Sequence, residues 1–267
     1  MDPIHLIVLA VVQGITEFLP ISSSGHLILV PLLTGWPDQG LRFDVAVHIG
    51  TLGAVILYFW RDVWHMILGL LGLLSGRTSP GARLTLHLII ATIPVVIAGG
   101  ALEYYGLTDA LRSMAVIGWT SLGFGILLYA ADRVGMTVRR IEHMTWSTAL
   151  MIGLAQALAL IPGTSRSGIT MTAARFAGFE RPDTARFSML MSIPTILAAG
   201  TLGVLDIVKS GDRVLGTDAA IAAVLSLITA LIAIATLMRW LRHAGFLPFV
   251  VYRVVLGVIL LYLAYTN

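Results

Sequence analysis

The chain has 267 residues, of which 57% are hydrophobic and only 12% charged, with a formal net charge of +3 and a mean hydropathy of +0.91. Soluble domains carry roughly 25% charged residues, so the composition argues against a soluble enzyme, and the spread of basic residues over short loops gives no case for a nucleic-acid partner. The absence of cysteine excludes disulfides and thiolate metal sites.

Apolar runs long enough to cross a bilayer recur along the whole chain, which predicts an all-α, multi-span integral membrane protein. The ten-residue alternating segments of an outer-membrane barrel are absent. The N-terminal "MDPIHLIVLA" has neither a basic leader nor a small-residue cleavage site, so no cleavable signal peptide is expected. Ten apolar segments are predicted, at 4–18, 23–34, 43–60, 84–103, 112–131, 145–161, 166–178, 184–207, 218–239 and 248–265. The intervening loops, such as "SGRTSPGAR" at 75–83 and "ADRVGMTVRRIEH" at 131–143, are too short to hold a soluble domain.

The first two segments are short. As helices, 4–18 and 23–34 span about 22 and 18 Å against a hydrocarbon core of about 30 Å. "LPISSSG" interrupts them, just as "IPGTSRSG" interrupts the similarly short 145–161 and 166–178. Broken backbone at mid-membrane depth is tolerated only where protein or a wet cavity surrounds it. Two re-entrant hairpins are the economical reading. Shifted by 143 positions, Gln13, Ser22, Ser24 and Gly25 fall on Gln156, Ser165, Ser167 and Gly168. Shifted by 144, Phe43, Ile49, Thr51 and Ala54 fall on Phe187, Ile193, Thr195 and Ala198. The chain therefore reads as a duplication with halves 1–135 and 144–267. Each half is a re-entrant hairpin plus three spans, giving six full spans and ten helices in one membrane domain. An odd number of crossings per half inverts the second relative to the first, and paired broken segments in inverted halves point to a binding site.

Loop charge predicts the orientation. Twelve arginines, from Arg61 to Arg253, fall on the side opposite the N-terminus, against Arg42, Arg112, Lys209 and Arg213 on its own side. By the positive-inside rule both termini lie outside the cell. Trp36, Trp60, Trp64 and Trp240 read as interfacial anchors, and His48, His65 and His87 as structural.

The two breaks hold the chemistry. Gln13 and Glu17 are four apart and share a helical face. Pro20 ends that helix, and Ser22, Ser23 or Ser24 caps the next, leaving free N–H groups that suit an anion. His26 sits one turn inside. In the second break Thr164 or Ser165 caps, and Arg166 and Thr170 are four apart. Inversion aims both helix N-termini at one place near the midplane. Arg166 has the fork geometry for phosphate oxygens. Glu17, with the Gln13 carbonyl oxygen beside it, suits a hard divalent cation such as Mg²⁺ or Ca²⁺. His26 suits a nucleophile or a general acid–base. Together these are the parts for metal-assisted phosphoester or diphosphate hydrolysis. Individual serines and threonines also serve as caps or interhelical bonds, and Glu17–Arg166 also reads as a structural ion pair. A secondary transporter or flippase for an anionic or lipid-phosphate substrate shares the architecture, but binding alone needs neither Glu17 nor His26. A structural scaffold leaves the mid-membrane charges without a reason.

"QGITEFLPISSSGH" and "PGTSRSGIT" resemble the two signatures of the undecaprenyl-diphosphate phosphatases of the bacitracin-resistance type, and the resemblance extends over essentially the whole chain. It implies hydrolysis of undecaprenyl diphosphate to undecaprenyl phosphate and phosphate, which recycles the lipid carrier for peptidoglycan, in a bacterial plasma membrane. By matching positions, Gln13 and Glu17 fall on the metal-associated acidic motif and Ser23 and His26 on the catalytic pair. Ser165, Arg166 and Thr170 fall on the phosphate-binding loop, with Ser167, Ser22 and Ser24 beside them. Position 13 is Gln where many members have Glu, which leaves one carboxylate for a metal. A neutral imidazole needs no separate base, which favours His26 over Ser23 as nucleophile. The expected partners are a polyprenyl diphosphate reaching the site from the outer leaflet, membrane lipids and no nucleic acid, with a homodimer left open.

Overall fold

The computed structural model describes residues 2–37, 39–107, 111–209 and 217–266, apart from the side chains of 41, 42 and 202–209. Arg213 lies outside the described residues, as do the side chains of Arg42 and Lys209, so three of the four basic residues assigned to the N-terminal side are not placed. The described residues are all-helical: α1 (Pro3–Thr16), α2 (Ser23–Thr34), α3 (Gly40–Tyr58), α4 (Trp60–Leu74), α5 (Pro80–Tyr104), α6 (Met114–Val134), α7 (Trp146–Ala157), α8 (Arg166–Phe176), α9 (Arg181–Lys209), α10 (Thr217–Trp240) and α11 (Leu247–Thr266).

The helix starts follow from local chemistry. Asp2 caps α1 through Ile4 N at 2.8 Å, with Pro3 in the first turn where no N–H is missed. Ser79, Ser113 and Thr145 cap α5, α6 and α7 in the same way. Among the described residues four helices, α5, α6, α10 and α11, are long and apolar enough to cross a membrane, or five spans if the bent pair α3–α4 is counted as one. The protein is a multi-pass helical membrane protein. Helix α9 is long, but its first half keeps Thr184, Ser188 and Ser192 buried against neighbours, which lowers its apolarity without exposing polar groups to lipid.

The expected count of ten helices misses α4. The predicted segments end at residue 60 and resume at 84, and residues 61–74 carry no assignment between them. Instead Phe59 leaves helical geometry (φ −100°, ψ 31°), the chain turns by 87°, and a second helix begins at once. Trp60 and Trp64 stand exposed on it, and Arg186 of α9 holds Asp62 in a two-pronged ion pair.

Packing pairs the elements in a regular way. Helix α1 lies on α10 and α7 on α5, α3 meets α9, α6 meets α11, and α1–α2 and α7–α8 each pack as neighbours. Close approach is bought with glycine: a Cβ on Gly50 would strike the backbone of Ala223, and one on Gly153 the backbone of Ala91. The main core runs through Phe18, Leu128, Ile152, Phe179, Phe187 and Phe246, so the first break sits on the core of the whole bundle. Two arginines counted among the loop charges are fully buried. Arg175 is buried at the end of α8, where it bonds the carbonyls of Phe179 and Gly135, and Arg253 is buried inside α11.

Candidate active site at the meeting of two helix breaks

Glu17 ends α1, one turn after Gln13, and the Gln13 amide donates to Glu17 Oε2 at 2.9 Å. The chain then turns through Phe18–Ile21 and restarts at α2. Of the three candidate serines, Ser22 is the cap, and its Oγ accepts from Gly25 N at 3.3 Å. In the second break Ser165 caps α8, accepting from Gly168 N at 3.1 Å. Ser22 (φ 73°) and Ser165 (φ 71°) are the non-glycine residues with positive φ among those described. Each such conformation costs on the order of 1–3 kcal/mol and persists only where the surroundings impose it.

Much of that support comes from one side chain. The guanidinium of Arg253 donates to Pro20 O (3.3 Å) in the first break and to Gly163 O (3.0 Å) and Thr164 O (2.9 Å) in the second. It also donates to Ser121 O (3.2 Å) and Thr120 O (3.3 Å) of α6. Broken helices leave carbonyls without partners, and a fully buried cation with five donors satisfies them. Thr120 Oγ1 adds a bond to Pro162 O at 2.7 Å, and Ser167 Oγ ties the second break to Leu19 O of the first at 2.8 Å.

With the breaks fixed, their side chains converge on Glu17. Arg166 Nη2 donates to Glu17 Oε1 at 2.7 Å, and Ser23 Oγ donates to Oε2 at 2.6 Å. His48 of α3 brings Nε2 to 3.8 Å from Oε2. Glu17 is only 6% exposed. A buried ion pair is seldom worth more than apolar packing of the same volume, whereas removing one partner costs about 3–5 kcal/mol. Stability alone therefore gives little reason for this cluster. Its unfinished valences give more: Gln13 Oε1, Thr164 Oγ1 and Arg166 Nη1 are buried without a hydrogen-bond partner. Arg166 thus spends one edge on Glu17 and keeps a donor free, as phosphate binding requires.

His26 is placed differently. Its Nδ1 lies 2.7 Å from Ser22 O and its Nε2 2.5 Å from Tyr252 OH, with the two rings stacked at 13°. It stands one turn along α2 from Ser23, and both ring nitrogens are engaged. Ser24 Oγ lies 3.4 Å from Ser22 Oγ at an exposed position. Ser165 and Ser167 are bonded to each other at 3.2 Å, and Thr170 bonds Arg166 O at 2.8 Å and Ser188 Oγ at 2.7 Å. These three are buried and support Arg166 from behind.

The residues suit a divalent cation in one respect that the structure tests. A carboxylate offers about four lone-pair sites, of which Arg166, Ser23 and Gln13 take three, and Gln13 Oε1 has nothing to accept from. A carboxylate and an amide oxygen can hold a cation that keeps water or substrate oxygens in its other positions. Among the described residues no group of three or more His, Asp and Glu side chains could hold a metal.

Sequence reasoning missed three residues here. His48, read as structural, faces Glu17. Arg253, read as a loop charge, signals its role by standing inside an apolar segment, where an ionisable residue is functional by default. Tyr252 carries no local signal, because its partner is 226 residues away.

The profile of a family described as bacitracin resistance protein BacA matches residues 6–259. A protein named undecaprenyl-diphosphatase from Ruegeria pomeroyi is 57% identical over 267 residues, all of both chains. One of the same name from Jannaschia sp. is 58% identical over 266 residues, covering 99% of this chain and 100% of the other. Undecaprenyl-diphosphatase 1 of Rhodospirillum rubrum is 54% identical over 268 residues, covering 98% and 95%.

Proposed function

The chain belongs to the bacitracin resistance protein BacA family, and from that membership and the joined helix breaks we infer that it hydrolyses undecaprenyl diphosphate to undecaprenyl phosphate and phosphate. It is a membrane-bound hydrolase that returns the lipid carrier to cell-wall synthesis. The observation that carries the mechanism is Glu17, which receives the Ser23 hydroxyl at 2.6 Å and the Arg166 guanidinium, from the other half of the chain, at 2.7 Å.

Ser23 is the nucleophile in this reading, in place of the His26 favoured from sequence. A serine hydroxyl needs a base, and Glu17 Oε2 is already its acceptor. The Ser23 Oγ bonds to the terminal phosphorus as the bond from that phosphorus to the bridging oxygen breaks. The serine proton passes to Glu17, and undecaprenyl phosphate leaves. Arg166 Nη1 holds an oxygen of the transferring group, where negative charge gathers. Water then attacks the phosphoserine as the bond from phosphorus to Ser23 Oγ breaks; the water gives up a proton to the His26–Tyr252 pair one turn along α2, Glu17 returns its proton to Ser23 Oγ, and phosphate departs. Ser22 and Ser24, beside Ser23, and Ser165, Ser167 and Thr170, behind Arg166, keep the anion-facing helix starts in place. A divalent cation held by Glu17 and Gln13 would supply charge neutralisation at the diphosphate.

The finer architecture belongs to the same reading. Halves 1–135 and 144–267 form an inverted repeat, each a re-entrant hairpin and three spans. Exchanging the halves carries α1–α10 onto α7–α5 and returns α3–α9 and α6–α11 to themselves, which supports it. So do the matched caps Ser22 and Ser165. Helix α4 has no counterpart among the described residues. With Arg175 and Arg253 removed from the loop count, ten basic residues remain on the side opposite the N-terminus. Both termini then lie outside, and the site opens to the outer leaflet with the polyprenyl tail between helices.

The test is acid-quenched turnover of undecaprenyl diphosphate by the purified protein. Phosphate release with a phosphopeptide mapping to Ser23 is the expected result. Full release by Ser23→Ala, or a phosphate trapped on His26, would overturn the assignment of the nucleophile.

A further inference from the structure

We propose that His48 Nε2 is the third protein donor of the divalent-cation site at Glu17 and Gln13, and that this oxygen–oxygen–nitrogen set takes a first-row transition ion in preference to Ca²⁺. The inference rests on the metal-assisted reading above and gives that site its ligands and its preference.

The first observation is the imidazole's tautomer. His48 Nδ1 lies 2.7 Å from Asp44 O, one turn back along α3. A backbone carbonyl only accepts, so Nδ1 carries the hydrogen and the lone pair of a neutral ring is on Nε2. Histidines that bind metals are held in this way, with the second ring nitrogen donating to a carbonyl or carboxylate. The second is distance. Nε2 stands 3.8 Å from Glu17 Oε2. That is too long for a hydrogen bond. It is within reach of one shared ion, because two ligands each about 2.1 Å from a metal are at most about 4.2 Å apart. The third is unspent capacity. Gln13 Oε1 is buried without a partner, and the Glu17 lone-pair site left after its three hydrogen bonds is on Oε1; turning the Gln13 amide over brings its own oxygen to the ion in place of the Nε2 donor and frees a lone pair on Glu17 Oε2.

The chemistry explains why a third donor matters. Gln13 brings no charge, so Glu17 is the one carboxylate of the set. Ca²⁺ collects six to eight oxygens and gains little from an imidazole, while Fe²⁺ to Zn²⁺ bind imidazole nitrogen well; Mn²⁺, the weakest of that series, serves as the spectroscopic probe. The competing account is a protonated His48 acting as a counter-charge to Glu17, in which case the nitrogen never touches a metal.

The experiment uses the full chain in detergent with Mn²⁺ as the probe, read by pulsed electron paramagnetic resonance. Wild type should show modulation from one directly bound nitrogen, and ¹⁵N-histidine labelling of unmutated protein should change its pattern. His48→Gln should lose the modulation and weaken Mn²⁺ binding about 10- to 100-fold. His26→Gln should keep the modulation. Mn²⁺ bound to wild type without nitrogen modulation, or modulation that survives His48→Gln, would overturn the proposal. The labelling arm decides the question even if His48→Gln does not fold. Undecaprenyl diphosphate turnover is followed in the same samples. Turnover by wild type without any Mn²⁺ binding refutes the cation site and leaves the phosphatase. Nitrogen-coupled Mn²⁺ without turnover refutes the phosphatase and leaves the site.

Discussion

Glu17 and Arg253 do opposite jobs with the same kind of expense. Glu17 is a buried charge with valences left open toward a substrate; Arg253 is a buried charge with its donors spent on the backbone. The account predicts different failures. Ser23→Ala leaves Glu17 paired with Arg166, so the protein should stay folded while phosphate release falls by about a thousandfold or more. Arg253→Lys keeps the charge but replaces a five-donor fork with three donors at a point. At least two of the five carbonyls then lose their partner, at about 1–3 kcal/mol each. Thermal unfolding in detergent should show that loss together with reduced turnover, and an unchanged melting temperature would contradict the role given to Arg253.

At the scale of elements, the two breaks are helix restarts whose caps are held at positive φ. Ser165→Ala removes the cap and keeps the strain, and should cost about 1–2 kcal/mol. Ser165→Gly removes the hydroxyl but relieves the backbone, and should cost a few tenths of a kcal/mol. Unfolding measurements that rank alanine at or above glycine would refute the strained-cap description. These elements were legible in the sequence because their causes are local. A four-residue spacing puts Gln13 beside Glu17, and a proline before serines marks a restart. Helix α4 was not legible, because no proline or glycine marks the turn at Phe59, and Arg61 and Asp62 interrupt the apolar run until Arg186 of a distant helix is seen to pair with Asp62. His48 and Tyr252 escaped for the same reason, each acting on a partner far away in the chain, whereas Arg253 carried its signal inside an apolar segment and was miscounted as a loop charge.

At the scale of the molecule, neither half is a site. The first brings a carboxylate, a serine and a histidine; the second brings the arginine, and α11 brings the guanidinium that binds both breaks. The proposed inverted arrangement predicts that a reporter fused at residue 137, in the loop after α6, reports the cytoplasm, and an external signal would contradict the proposed orientation. The central claim is that Glu17 and Arg166 work as one unit across the halves. Its most direct test is phosphate release from undecaprenyl diphosphate by wild type, Glu17→Gln, Arg166→Ala and the double variant. The account predicts that each single change costs nearly as much activity as both together, as for residues that act jointly. Full activity in either single variant, or losses that multiply as for independent sites, would contradict it.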